Sequence, residues 1–154
     1  GRADASVDVV VGDVFGGRSV PYHLTSREFL LEVDRVLRRD GLYGLNVIDG
    51  PRESFVRAQA ATLAEVFEHV VVVRGPSLVG GGSGNAVLLA GQEAIDVEQL
   101  AAALAADVDP TDGPQGPDAV DILHGARLED YVDGATVLTD DFAPVDRLRS
   151  SGDG

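Results

Sequence analysis

The sequence predicts an α/β chain, a partial doubly wound and mainly parallel sheet with helices on both faces. Short β-branched runs alternate with amphipathic stretches along the chain. Strand, helix and strand repeat at about 30 residues, the spacing of a right-handed βαβ unit, whose crossover lays the helix on the sheet. With 154 residues, 44% of them hydrophobic and only 5% aromatic, the chain makes one domain able to bury about two thirds of its unfolded surface.

The first strand is residues 7–11, a valine-rich run ending at Gly12-Asp13 and followed by the turn-rich stretch Gly16-Gly17-Arg18-Ser19-Val20-Pro21. Thr25 and Glu28 have capping-box spacing, and Phe29, Leu30, Val33, Val36 and Leu37 recur at helical spacing until Asp40-Gly41 stops the pattern. Residues 42–48 form a second strand, and Asp49-Gly50-Pro51 turns into a helix whose face is Val56, Ala60, Leu63 and Phe67. A third strand, 69–73, and a fourth, 86–90, flank a Gly-rich link at 80–84 that permits an antiparallel pair. Asp96 with Gln99 caps an alanine-rich helix at 97–106. The domain is expected over 1–106, with a linker or mobile loop at 107–118, a tail at 119–149 packing on the domain, and a frayed end at 150–154.

Composition removes several function classes. The net charge of −14, with no basic run, repels phosphate backbones, so nucleic acid is excluded as a partner, whereas cationic small molecules are attracted. No apolar run approaches the roughly 18 residues of a membrane span and no leader pattern opens the chain. A cytoplasmic protein with no membrane contact from this segment is expected. Zero Cys rules out disulfides, thiolate metal sites and a Cys nucleophile. His23, His69 and His124 lack metal-ligand spacing, so no metal is expected. The Gly80 to Gly84 stretch is not followed by G-K-[ST] and reads as a turn, and no G-x-S-x-G elbow occurs.

Two carboxylates fall where open α/β sheets hold ligands, beyond the carboxyl ends of strands: Asp13 after the first and Asp49 after the second. If those strands are neighbours, both acids face one crevice and could hold and deprotonate an amine. Capping the next turn or helix is the commoner fate of an Asp at such positions, for Asp49 above all. Asp140-Asp141 reads as a solvated turn.

The stretches D-V-V-V-G-D-V-F-G-G-R-S-V-P-Y-H-L-T-S-R-E-F-L, R-R-D-G-L-Y-G-L-N-V-I-D-G-P and V-L-T-D-D-F-A-P-V-D-R-L resemble the carboxyl-terminal half of the class I methyltransferase-like, Rossmann-like domain of spermidine synthase-like proteins. The resemblance runs from Val7 to Leu148. It implies aminopropyl transfer from decarboxylated S-adenosylmethionine to a polyamine-type amine. It also implies Asp13 as the catalytic acid serving the attacking amine, Asp49, Asn46 and Tyr22 on the substrate side, and Phe15 and Asp141 on the cofactor side. The sequence departs from the family at Gly16, where a second acid is expected, at Asn46, where the family has glutamine, and at P-S-L-V-G-G-G-S-G, which lacks the family's tyrosine. These departures leave the acceptor open. They keep in play an S-adenosylmethionine-dependent methyltransferase-like protein or a non-catalytic dimerisation module. The Gly-rich loop and acid that hold the co-substrate in such folds would precede Gly1, so the chain reads as a piece of a longer protein, without a complete co-substrate site and inactive by itself. The first strand's outer edge is then expected to pair with the missing amino-terminal half or a second copy, as a homodimer, or to be covered by the tail.

Overall fold

A computed structural model describes residues 4–13, 24–106 and 120–142. The proposed linker, the chain beyond 142, and Phe15, Gly16, Tyr22 and His23 lie outside the described residues. The elements are β1 (Val7–Asp13), α1 (Arg27–Val36), β2 (Leu37–Asp49), α2 (Ser54–Ala64), β3 (His69–Arg74), α3 (Pro76–Val79), β4 (Gly84–Gly91), α4 (Val97–Ala106), β5 (Asp121–Leu123) and α5 (Gly125–Val132). They build a five-stranded sheet of order β1-β2-β4-β3-β5, so the α/β class expected from the sequence stands.

The sheet is mixed rather than mainly parallel. β1 and β2 are parallel, while β4 runs antiparallel to both β2 and β3 and β5 antiparallel to β3. The crossover from β2 through α2 leaves a gap one strand wide before β3, and β4 folds back into it as a hairpin with β3. β1, β2 and β3 thus keep one direction, but only one ladder is parallel.

The helices that bury side chains share one face, which corrects the expectation of helices on both. The moves from β1 to β2 and from β2 to β3 go the same way across the sheet, and two right-handed crossovers in one direction put α1 and α2 on the same side. Leu30 and Val33 of α1, Phe55, Val56 and Leu63 of α2, and Leu128 of α5 form one core with Tyr43, Leu45 and Val47 of β2 and Ala86, Leu88 and Ala90 of β4. Each large side chain buried there contributes about 1.5–3 kcal/mol. Tyr43 stacks on Phe67 with ring centroids 6.3 Å apart. No residue of α4 is buried, and none of the described helices is long and apolar enough to cross a membrane.

Local signals fall close to their expected places. Ser26, one residue after the expected Thr25, caps α1 by accepting from the Phe29 N–H at 3.3 Å. Asp96 caps α4 through the Gln99 N–H at 2.9 Å, as its spacing predicts. Asp40-Gly41 does not end the helix. Val7 pairs with Leu37 and Val9 with Leu42, so three extra residues of β2 bulge there, and a side chain at Gly41 would collide with the Arg38 carbonyl at 2.8 Å. The tail contributes β5 and α5 at the β3 edge of the sheet. The described tail therefore leaves the β1 edge uncovered.

Candidate active site

Strand pairing brings three polar side chains into a row on the face of β1, β2 and β4 opposite the core. The parallel register sets Asp13 opposite Asn46, and alternation along β2 turns Asn46 away from the buried Leu45 and Val47. Asn46 Nδ2 reaches Asp13 Oδ1 at 3.5 Å, and Asn85 Nδ2 of β4 reaches Asn46 Oδ1 at 3.4 Å. Exposed Val11, Ile48 and Val87 surround the row. It lies at the carboxyl ends of β1 and β2, where ligands of such sheets sit. Asn85 was not legible as a site residue: it follows the Gly-rich turn, and only the β2–β4 register brings it beside Asn46.

α1 runs back from the carboxyl end of β1 to the start of β2, so its N-terminus shares this end of the sheet. A distant turn, residues 139–142, is fastened there. The Arg27 N–H donates to the Leu138 carbonyl at 2.8 Å, the Ser26 hydroxyl to the Asp140 carboxylate, and the Asp140 N–H to Glu28 Oε2 at 2.9 Å. Asp141 stands exposed in this turn, so the turn read as solvated is also a clamp on α1.

Asp49 does not share a crevice with Asp13, although their strands are neighbours. Three residues beyond Asn46, it has the opposite parity and faces the helices. Its Oδ1 accepts from Gly50 N–H at 2.8 Å, and its Oδ2 from Phe55 and Val56 N–H at 2.8 and 2.9 Å. Glu53, which precedes α2 in the left-handed conformation, makes no side-chain cap, so Asp49 satisfies the α2 N-terminus in its place. Burial pushes the Asp49 carboxyl up, opposed by those three N–H donors. The substrate-side role expected for Asp49 meets a carboxylate occupied by helix capping.

A second charged cluster holds the tail in place. Arg74 at the end of β3 grips Glu53 through Nε at 2.8 Å and Nη2 at 2.5 Å and Asp121 through Nη1 at 2.9 Å. The Tyr131 hydroxyl donates to Glu53 at 2.7 Å, and the Arg57 and Arg74 guanidiniums lie 6.0 and 5.8 Å from the Tyr131 ring centre. Burial, then the bond to Glu53, drives the Tyr131 phenol far up. Burial also pushes Asp121 up, but Arg127 and Arg74 overcome it and hold the carboxyl below its usual range. Every charge here has a partner, so the cluster is a staple between α5, α2 and β3. His69 and His124 line a cleft of about 340 Å³ with Glu68 and Glu129, at the amino end of β3 and away from the row. No group of three His, Asp or Glu among the described residues could hold a metal ion.

No protein-family model matches the chain. It is 29% identical over 152 residues to a polyamine aminopropyltransferase of Vibrio vulnificus (strain CMCP6), covering 92% of this chain and 46% of that protein. It is 27% identical to a probable spermidine synthase from Corynebacterium glutamicum ATCC 13032, whose crystal structure matches with a TM-score of 0.75 over 90% of this chain and 49% of that one. The chain is thus similar to polyamine aminopropyltransferases and spermidine synthases. It spans about half the length of these relatives. In this spermidine synthase-like chain, Asp13 and Asn46 are neighbours on the open face, Asp141 is exposed at the same end of the sheet, and Asp49 is turned to the helices.

Proposed function

We propose that this spermidine synthase-like chain carries the amine-activating part of an aminopropyl-transfer site, with Asp13 as general base and Asn46 beside it. The observation that supports this most is the in-register pairing of Asp13 with Asn46 at the carboxyl ends of two parallel neighbours, on a face where Val9, Val11, Ile48 and Val87 are exposed. An alkyl amine with a lysine-like pKa near 10.4 arrives as a cation, drawn by the chain's charge of −14. Asp13 takes its proton, and the freed lone pair attacks the propyl carbon bound to the sulfonium of decarboxylated S-adenosylmethionine. The C–N bond forms as the C–S bond breaks, and the electron pair leaves on sulfur as a neutral thioether. The remaining catalysis is alignment of nitrogen, carbon and sulfur.

Asp141, at the same end of the sheet, is the acid proposed to face the sulfonium, and Phe15 and Tyr22 join the site by resemblance. Asp49 is left out because its lone pairs serve α2. A cytoplasmic setting is part of the reading, as is a polypeptide covering the β1 edge and open face, either more of the same protein or a second copy.

The test is calorimetric titration of the longest form the gene encodes with decarboxylated and ordinary S-adenosylmethionine, then mass analysis of di- and polyamine acceptors. Aminopropylated product that is lost in Asp13→Asn with co-substrate binding retained supports the reading. Consumption of ordinary S-adenosylmethionine replaces it with methyl transfer. Failure of a folded protein to bind either compound overturns it in favour of an assembly role.

A further inference from the structure

The row on the open face has a third member that neither the resemblance nor the proposed chemistry uses. Asn85 donates to the Asn46 side-chain oxygen, and Asn46 in turn donates to Asp13. An amide can present either its oxygen or its nitrogen to a neighbour. Facing Asp13, oxygen would meet a carboxylate with no proton between them, whereas nitrogen donates. Asn85 biases that choice by giving Asn46 Oδ1 a donor on the side away from Asp13. At 3.4 and 3.5 Å the two contacts are long, as site contacts often are before a ligand draws them together.

Asn85 is held firmly enough for this. Its backbone pairs with Ile48 in the β2–β4 ladder, and its carbonyl accepts from the Gly75 N–H at 2.8 Å. Gly75 sits so close that a Cβ there would come within 2.7 Å of the Asn85 carbonyl oxygen. That is too near for any side chain, so the glycine leaves Asn85 where its amide reaches Asn46.

We infer that Asn85 is a positioning residue, acting through the Asn46 amide to keep a donor on Asp13 and so aim the carboxylate at the acceptor amine. The inference rests on the transfer reading for its purpose, but the orientation of Asn46 is testable without turnover. Asn85→Asp supplies an acceptor in place of a donor, draws the Asn46 nitrogen to itself and turns the Asn46 oxygen towards Asp13. Asn85→Ala removes the bias, and Gly75→Ala displaces Asn85 with no change to any polar side chain.

The decisive measurement is the pair of Asn46 side-chain amide signals in the nuclear magnetic resonance spectrum of the full chain, assigned through Asn46→Asp. In the parent, protonating Asp13 should move these signals, and Asp13→Asn should abolish that response. Asn85→Asp and Gly75→Ala should each weaken the coupling, with backbone spectra otherwise preserved. Where transfer is measurable, Asn85→Ala should lower kcat roughly fivefold to tenfold with little change in KM, the effect of about one hydrogen bond. Asn85→Ser, which keeps a donor, should recover part of it. Asn46 signals indifferent to all Asn85 and Gly75 variants would overturn the inference whatever the activity. Inactivity of the parent alongside a responsive Asn46 would instead count against the transfer reading alone.

Discussion

The two faces of the sheet use the same residue types to opposite ends. On the covered face, Tyr43, Leu45, Val47 and Asp49 alternate inward and all are nearly inaccessible. On the other, Val11 and Val9 stand 74% and 55% exposed beside Asp13. Asp49 and Asp13 end adjacent strands, yet one is consumed in holding α2 and the other keeps accessible oxygens. The face that parity selects thus decides whether an acid at a strand end caps a helix or keeps its oxygens accessible.

The largest effect separating the two faces is expected from the two acids themselves. In any preparation that transfers an aminopropyl group, Asp13→Asn should cut turnover about a hundredfold or more, as loss of a general base does. Its unfolding free energy should change by less than about 0.5 kcal/mol, since the side chain is exposed. Asp49→Ala should do the reverse, costing about 2–3 kcal/mol in denaturant unfolding because two helix N–H groups and the Gly50 N–H lose their acceptor. Equal destabilisation by both variants would break the contrast.

Alkaline pH probes the covered face by another route. Burial pushes the Tyr43 phenol up to about 12 from an ordinary 10.0, so the native state holds that proton more tightly than the unfolded chain does. The stability it represents is complete below pH 10 and is lost as pH rises to 12, up to about 2–3 kcal/mol. Urea unfolding followed across this window should show the fall, and Tyr43→Phe should make it shallower. Tyr131, raised by burial and Glu53, shifts in the same sense and adds to the fall.

The smallest effect sharpens the comparison most. Val47→Ala, on the covered face, should cost about 2 kcal/mol, while Val11→Ala should cost less than about 0.5 kcal/mol. Thermal unfolding of both at two protein concentrations is sufficient. A Val11 cost that matches Val47 and depends on concentration would mean that a second copy covers the open face in solution.

Much of the fold was legible, element by element. The valine runs of β1 and β3, the amphipathic spacing of α1, the Asp96 cap of α4 and the antiparallel option after the Gly-rich link all appear where local pattern puts them. The tail was not, because β5 has three residues and α5 is held by Arg74, Glu53 and Tyr131 from far along the chain. At the site, Asp13 and Asn46 could be singled out by strand-end position and resemblance. Asn85 and the clamp on α1 could not, since their partners are 39 and 114 residues away.

The sequence by itself determined the α/β class, most of the helices and strands and the spermidine synthase-like resemblance, because periodicity, capping and turn chemistry are written in neighbouring residues. Only the tertiary structure decided that β4 enters between β2 and β3, that α1 and α2 fall on one side, and that Asp13 and Asp49 face opposite ways. Those outcomes depend on strand order, crossover hand and register, which hydrogen bonds and packing between distant segments fix together.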